Sequence, residues 1–587
     1  MSEKEEGSAT AAIEAVLAHN PPTTPVGADV HWWKQPNLRN LYLLMPFLFL
    51  GSTTLGYDGS LVNGLQTMPS WQDFFNHPTG AALGIIGAIP GFGGLAILPF
   101  APYIVDNFGR RAGIAIGCLT VFLGALLQSF PNPSHPNEIY LAGRFIIGIG
   151  GTLTNGATPL LITEISHPRH RGRATTIYNT LWYLGAIIAA WVGYGTLSHM
   201  TGNIQWRLPT GLQLAMPGLQ LLALYFIPES PRFLISKERN DEALAFLLKY
   251  HGDCGADAFA RWEFSEIHET LHMEKVAADS SGWYELVRTP GNRKRCFLIV
   301  CTAIFSQCSG NGLVSYYLSS ILKTIGITSS TKQALINGGL TIWAFLVSLC
   351  FAFTVDKLGR RFLFLFAGLG MLVTFTVWTA CSAVYAKNGS TEAGSAVLAM
   401  IFLFYGVAGL AWPGLTVSYT VEILPYNIRA KGLTLCFVFT QLSGVFNQYV
   451  NPIGLQNLAW KFYFVYIAVL VIECAVIYFF YVETKGPTLE EIAVLFDGDD
   501  ANVMAEPMEG KKTVGHLEDM SMSSYPQMST EHQTTQMRGP ISLDTLIITG
   551  LALGRQRDGF AAISQRYHWL YCGHKVQLAM GLRNTWT

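Results

Sequence analysis

The chain has 587 residues, half of them hydrophobic and only 13% charged, where a soluble domain carries about 25% charged residues. Its net charge of -1 leaves no electrostatic footprint for nucleic acid, and no Gly-x-x-x-x-Gly-Lys-Ser/Thr phosphate loop occurs, which disfavours a nucleotide-driven pump. A polytopic membrane protein remains.

Residues 1–37 are polar, with Glu3, Lys4, Glu5 and Glu6 ahead of Pro21-Pro22, and lack the basic start and short apolar core of a cleaved signal. They read as a cytoplasmic tail. From Leu38 the chain turns apolar in blocks of about 20 residues, the length that crosses a bilayer as helix. Twelve spans are expected, at 41–64, 81–105, 112–130, 139–163, 174–198, 209–227, 296–322, 333–355, 362–385, 396–420, 430–450 and 461–482.

The first span holds Asp58 in Gly56-Tyr-Asp-Gly, a carboxylate costing about 2.5–3.5 kcal/mol on insertion scales. Its best partner is Arg144, in Gly143-Arg-Phe of the fourth span; a structural ion pair and a role in proton movement are the two readings. In the second span, Gly91-Phe-Gly-Gly-Leu-Ala96 fits the dinucleotide pattern Gly-x-Gly-x-x-Ala, but that pattern needs a preceding strand. Within a membrane helix, small residues instead let neighbours approach closely.

Asp106-Asn-Phe-Gly-Arg-Arg111, after the second span, returns after the eighth as Asp356-Lys-Leu-Gly-Arg-Arg361. Glu164, seven before Arg171, is echoed by Glu422, seven before Arg429, and Pro228-Glu-Ser-Pro-Arg232 by Val482-Glu-Thr-Lys-Gly486. These echoes imply two related halves. Arginine concentrates in the same loops (Arg110, Arg111, Arg169, Arg171, Arg173, Arg360, Arg361, Arg429), which places them and both termini in the cytoplasm. The Asn388-Gly-Ser sequon falls in a loop assigned outside, as glycosylation requires. Acids at fixed spacing from these cations (Asp106, Glu164, Asp356, Glu422) suggest a cytoplasmic gate of ion pairs, with a bare orientation signal as the alternative. The ten cysteines avoid the outer loops, so no disulfide framework is expected.

Residues 231–295 form the longest internal polar stretch, with Lys237–Lys249 patterned as an amphipathic helix and further helical pieces around 262–275 and near Trp283. It shows no metal-ligand or nucleophile constellation and reads as a helical linker. The seventh span is the most polar: Ser306-Gln-Cys-Ser-Gly-Asn-Gly-Leu-Val-Ser-Tyr-Tyr317. Helix periodicity puts Gln307 and Asn311 on one face. Neutral amides supply both donor and acceptor, as a polyhydroxylated ligand needs; interhelical hydrogen bonding is the competing use. Gln441, Asn447, Gln448 and Asn451 add amides to the eleventh span, Asn447 and Asn451 on one face at the outer end of the pathway. Glu473, in the twelfth, has no assigned role. Residues beyond 497 are expected to be disordered.

The two Asp-x-x-Gly-Arg-Arg loops, Pro228–Arg232, the Gln307–Tyr317 helix and Glu483-Thr-Lys-Gly486 together resemble the sugar porter family of the major facilitator superfamily across 38–496. Gly310–Leu318 and Val421–Gly432 are similar to its fungal lactose and cellodextrin permease branch. The resemblance implies an all-α membrane protein of twelve helices in two six-helix bundles, 38–230 and 296–484, joined by the cytoplasmic linker 231–295 and flanked by the tails 1–37 and 485–587. It implies a multi-pass plasma-membrane carrier working by alternating access, neither an enzyme nor a user of metal or cofactor, with a small neutral sugar as ligand and no obligate protein partner.

Position by position, Gln307 matches a sugar-binding glutamine, and Tyr316 and Tyr317 match a tyrosine pair. Asn179 falls where glutamine is usual, Ser306 where many hexose carriers have another glutamine, Asn311 one residue before their asparagine, and Trp412 ten residues before Glu422 rather than about five. These departures weaken a glucose assignment and leave intact the reading that the branch-like motifs and the amide-rich, cation-poor lumen suggest, a β-linked disaccharide such as lactose or cellobiose. Asp58 and Arg144 match positions that proton-coupled members use: paired with Arg144 the carboxylate stays ionised, and separated from it burial favours proton binding. A facilitative hexose uniporter and a non-transporting sugar receptor are the alternatives.

Overall fold

The computed structural model describes residues 32–132, 134–252, 257–280, 282–352, 358–486, 492 and 495–497, and these are almost wholly helical. The first half comprises α1 (Pro36–Leu65), a short α2 (Pro69–Phe74), α3 (Gly80–Ile97), α4 (Ala101–Phe108), α5 (Arg110–Ser129), α6 (Pro136–Ile165), α7 (Arg171–His199), α8 (Ile204–Gly211) and α9 (Ala215–Leu224). The linker holds α10 (Pro231–Ser236), α11 (Asn240–Tyr250), α12 (Asp257–Ser280) and α13 (Glu285–Arg288). The second half comprises α14 (Pro290–Cys308), α15 (Asn311–Thr324), α16 (Ser330–Ala352), α17 (Arg360–Asn388), α18 (Thr391–Ala408), α19 (Trp412–Ile423), α20 (Tyr426–Leu458) and α21 (Tyr463–Phe480).

Twelve spans result, because α3–α4, α8–α9, α14–α15 and α18–α19 are each one crossing broken in two. Among the described residues nine stretches are long and apolar enough to cross a membrane, and one of them, Ile428–Phe480, carries two spans. The first span misses the threshold through its own polar residues, and the sixth because a 3-10 turn, Leu212–Leu214, interrupts it.

The breaks are the main departures from the expected elements. Asp106 ends up in the separate helix α4, after Pro99 has taken a backbone donor out of the turn. The seventh span starts at Pro290, where Thr289 caps the helix by accepting from Asn292 N at 3.1 Å. In the linker the amphipathic helix begins at Asn240 rather than Lys237, because Glu238 has φ +61 and separates α10 from α11. The 91–96 glycine cluster serves packing: a Cβ on Gly93 would lie 2.1 Å from the Phe145 carbonyl oxygen of α6.

The two halves have one end in common, marked by the Gly-Arg-Arg loops and here called the arginine end. At the opposite, far end the halves touch. Asn63 Nδ2 donates to Asn337 Oδ1 at 3.0 Å, Gln66 Nε2 donates to the Tyr316 carbonyl at 2.8 Å, and a Cβ on Gly84 would lie 2.6 Å from the Tyr449 carbonyl oxygen. So α1 and α3 of the first half close against α15, α16 and α20 of the second.

Candidate functional site

At the arginine end the sequence echo becomes a structural one. Gly109 and Gly359 have φ +101 and +90, a region that only glycine enters cheaply. Each opens a helix at its N-terminus, where a carboxylate is favoured by exposed N–H groups. Glu229 accepts from Arg111 N at 3.2 Å, and Glu483 accepts from Arg360 N at 2.8 Å and Arg361 N at 3.1 Å. A Cβ on either glycine would press on that carboxylate, 2.5 Å away at Gly109 and 2.8 Å at Gly359. Burial pushes the Glu229 carboxyl above its ordinary value, while the Ser230 and Arg111 N–H groups and the Arg111 and Arg110 cations pull the other way. Glu229 and Glu483 were visible in the repeated motifs, but their place as anchors was not.

The remaining predicted gate residues join these clusters. Arg110 grips Glu164 with both ends of its guanidinium, at 2.9 and 3.2 Å, and reaches Asp106 at 3.4 Å. In the second half Arg360 pairs with Glu422 at 3.1 Å, and Thr484 donates to the same carboxylate. Arg361 donates to the Tyr478 carbonyl at 2.6 Å as Arg111 does to that of Leu224 at 3.0 Å. Arg429 donates to the Leu424 carbonyl at 3.2 Å. Asp356 lies outside the described residues. Arg171 turns instead to the linker, pairing at 2.9 Å with Glu263, which also meets His251 Nδ1 at 2.7 Å. Among the described residues the ion pairs of these clusters stay within one half or tie a half to the linker.

His167 is buried beside this linker contact, stacked on Phe259 with ring centroids 5.3 Å apart and edge-on to His251. Burial pushes its imidazole down to about 4, helped by His251, against Glu263. A base held below its unfolded value stabilises the fold fully above the unfolded pKa of about 6.5 and loses that contribution as pH falls toward 4. Melting temperature should therefore drop between those limits, by the equivalent of about 3 kcal/mol at most, and His167→Phe should flatten the drop. An unchanged acid limb in the variant would exclude His167 as the cause.

Between the halves lies a cavity of about 380 Å³, and no charged side chain is among its described lining residues. The first half contributes Ser60 and Asn63 of α1 and Trp182 and Tyr183 of α7; the second contributes Gln307, Asn311, Ser315, Tyr316, Asn337, Tyr405, Trp412 and Thr440. Gln307 and Asn311 both line it, though not as one helical face. The helix breaks between them at Ser309 and at Gly310, whose φ of +102 sends the chain in a new direction. Tyr405 OH stabilises the restart, donating to the Asn311 carbonyl at 3.3 Å. Trp412 also lines the cavity, nearly buried, and its indole N–H has no hydrogen-bond partner among the described residues.

Four predicted residues are placed otherwise. Tyr317 is buried and donates to the Gln448 carbonyl at 2.5 Å. Asn447 donates to the Gln307 carbonyl at 2.9 Å and accepts from Asn451 at 2.5 Å, so this pair braces the break rather than lining the outer pathway. Gln441 faces Gly94 between α20 and α3. Asn179 is exposed, on the stripe of Trp182, Tyr183 and Ala186 but one turn nearer the arginine end. Asn388 is exposed at the end of α17, and Ser390 of its sequon caps α18 by accepting from Ala393 N at 3.4 Å. Asn63, Asn337 and Tyr405 were missed because single polar residues on separate apolar helices give no local pattern.

Asp58 projects from α1 with both carboxylate oxygens buried; among the described residues neither completes a hydrogen bond by distance and angle, and the Gln213 amide and the Arg144 cation are the polar groups that act on it. No ion pair joins it to Arg144 among the described residues; the Arg144 Nε–H donates to the Ile86 carbonyl at 2.7 Å.

Known relatives resemble this chain in sequence, and a solved structure shares its fold. The family described as "Sugar (and other) transporter" matches residues 44–496. The MFS-type transporter criB of Aspergillus cristatus is 31% identical over 446 residues, 75% of this chain and 90% of its own. The sugar transporter STL1 of Saccharomyces cerevisiae is 26% identical over 504 residues, 84% of this chain and 86% of its own. The inward open structure of the xylose transporter XylE from E. coli superposes with a TM-score of 0.64 at 21% identity, covering 78% of this chain and 100% of that one.

Proposed function

Because the chain belongs to the sugar (and other) transporter family, with the major facilitator fold of two six-helix bundles, we propose that it carries a neutral sugar across the plasma membrane by alternating access. The observation that carries this reading is the uncharged cavity between the halves, lined by amides, hydroxyls and aromatic rings. Amides pair with hydroxyls in either sense. Trp182, Trp412 and Tyr405 offer faces to the apolar side of a sugar ring, and the unpartnered Trp412 N–H offers a donor. The branch-like motifs support a β-linked disaccharide, of the lactose or cellobiose type, over a free hexose. Membrane carriers built of repeats hold their ligand at the midplane between them, and the position of this cavity between the halves supports the same place for the sugar.

The arginine end faces the cytoplasm, by the excess of arginine in its loops. The far end closed by Asn63–Asn337 and Gln66–Tyr316, with the charge clusters kept within each half, supports reading this conformation as the inward-facing state. Opening outward breaks those far-end bonds and brings the arginine clusters together. In the present state no ion pair joins Asp58 to Arg144 among the described residues, and a buried carboxyl that lacks one is retained there at lowest cost as the neutral acid. Asp58 is thus the proton carrier of a symport cycle, and Arg144 the group that displaces its proton when the helices bring them together.

The test is uptake of labelled single sugars, lactose, cellobiose, D-glucose and D-xylose, into vesicles containing only this protein. Disaccharide uptake is expected. Preference for glucose over both disaccharides overturns the disaccharide assignment; binding without uptake would establish a receptor instead.

A further inference from the structure

Glu473 is the one acid on α21, wholly buried, and the transport cycle above leaves it unused. Its Oε2 lies within hydrogen-bonding distance of Ser309 Oγ, and its Oε1 has no partner among the described residues. Ser309 ends α14 next to the break at Gly310. The same hydroxyl is 2.5 Å from the Phe305 carbonyl oxygen, one turn back. A serine hydroxyl has one proton to give, and a peptide carbonyl can only accept. Shared between the two oxygens, that proton makes two weakened bonds; both contacts are full hydrogen bonds when Ser309 donates to Phe305 and Glu473 donates to Ser309, which requires the carboxylic acid. An ionised Glu473 would draw the hydroxyl proton away from the carbonyl and leave a buried charge with one bare oxygen, at far greater cost.

The last helix supports the break at a second point on the same face, since Tyr466 precedes Glu473 by two helical turns. Tyr466 OH donates to Asn451 Oδ1, Asn451 donates to Asn447, and Asn447 donates to the Gln307 carbonyl. Broken helices leave carbonyls without intrahelical donors, and here Asn447 of α20 supplies one to Gln307, braced in turn by Tyr466 of α21. The titratable groups around Glu473 are the thiols of Cys308 on α14 and Cys474 on its own helix and the phenol of Tyr481; from α17 it meets Gly368, which brings no side chain.

We propose that Glu473 is a positioning residue for the substrate helix: as the neutral acid it donates to Ser309 and fixes the break on whose two sides Gln307 and Asn311 reach the cavity. When Glu473 loses its proton to solvent base, Ser309 turns from Phe305 to the carboxylate and the break loosens. The inference deepens the transporter reading, and its first measurement does not depend on it.

In purified protein at neutral pH, infrared spectra should show the carbonyl stretch of a protonated carboxylic acid that is missing from Glu473→Gln and present in Asp58→Asn. No difference between parent and Glu473→Gln would overturn the proposal even if no sugar is ever transported. In vesicles, with cellobiose or D-glucose, whichever the parent takes up, Glu473→Gln should keep KM within about twofold, since an amide N–H can replace the acid O–H. Glu473→Ala and Ser309→Ala should each raise KM about tenfold, the loss of one buried hydrogen bond, and the double variant should be no worse than either. A Glu473→Gln variant as impaired as Glu473→Ala would show that the charge, not the donor, is needed, and would overturn the proposal. Absence of uptake by the parent would instead count against the sugar assignment and leave the infrared result standing.

Discussion

Vesicles containing Asp58→Asn should fail to concentrate sugar under an imposed pH difference, while exchange of labelled for unlabelled sugar continues. For one proton per sugar, a difference of one pH unit is worth about 1.4 kcal/mol and sustains at most a tenfold sugar gradient. The parent should approach that ratio with the acidic side outside, and the variant should stop at equality. Asparagine copies the shape and neutrality of the protonated acid, so it permits the conformational change but cannot release a proton. Among the described residues the carboxylate oxygens complete no hydrogen bond that the new amide would lose, and the neighbouring Gln213 amide can pair with an amide as well as with a carboxyl. Arg144, already committed to the Ile86 carbonyl, loses no partner in this state either. A parent that never accumulates sugar, or a variant that accumulates it equally well, would leave facilitated uniport as the mechanism.

How far the site could be read from the chain depended on how local each signal was. The duplicated Gly-Arg-Arg loops were legible because a charge between two apolar blocks is conspicuous, and each recurs with its acid at fixed spacing. Their use was less visible: Glu229 and Glu483 bond the first N–H groups of α5 and α17, which only the return of the sixth and twelfth spans makes possible. The amide-rich seventh span was legible from composition alone. Its periodicity was misleading, since Gln307 and Asn311 meet at the cavity through a break and not along a helical face. That break explains the amides of the eleventh span, which pointed to the pathway in the sequence but support the Gln307 carbonyl in the fold. Arg171 resembled a gate cation by its spacing from Glu164, yet linker residue Glu263 outcompetes that acid for it.

Replacing Gln307 or Asn311 with alanine should cut kcat/KM for the transported sugar by at least about a hundredfold while the protein still reaches the membrane and melts normally. A site built to hydrogen-bond a ligand discriminates by orders of magnitude when one of its polar groups is left unpaired. Neither side chain is committed to the fold. The Gln307 amide donates only to its neighbour Ser306 Oγ, at 3.3 Å, and no bond to the Asn311 side chain is seen among the described residues, where its carbonyl alone accepts from Tyr405. Asn447 provides the contrast. It is buried, bonded at once to Gln307, Asn451 and Tyr466, and Asn447→Ala strips the donor from a carbonyl at the helix break. Each orphaned buried group costs about 1–3 kcal/mol, so that variant should show a lowered melting temperature before any change in sugar selectivity. The two measurements, thermal melting and uptake kinetics, separate ligand-binding amides from bracing ones. Normal uptake by both Gln307→Ala and Asn311→Ala would remove this cavity from the transport path.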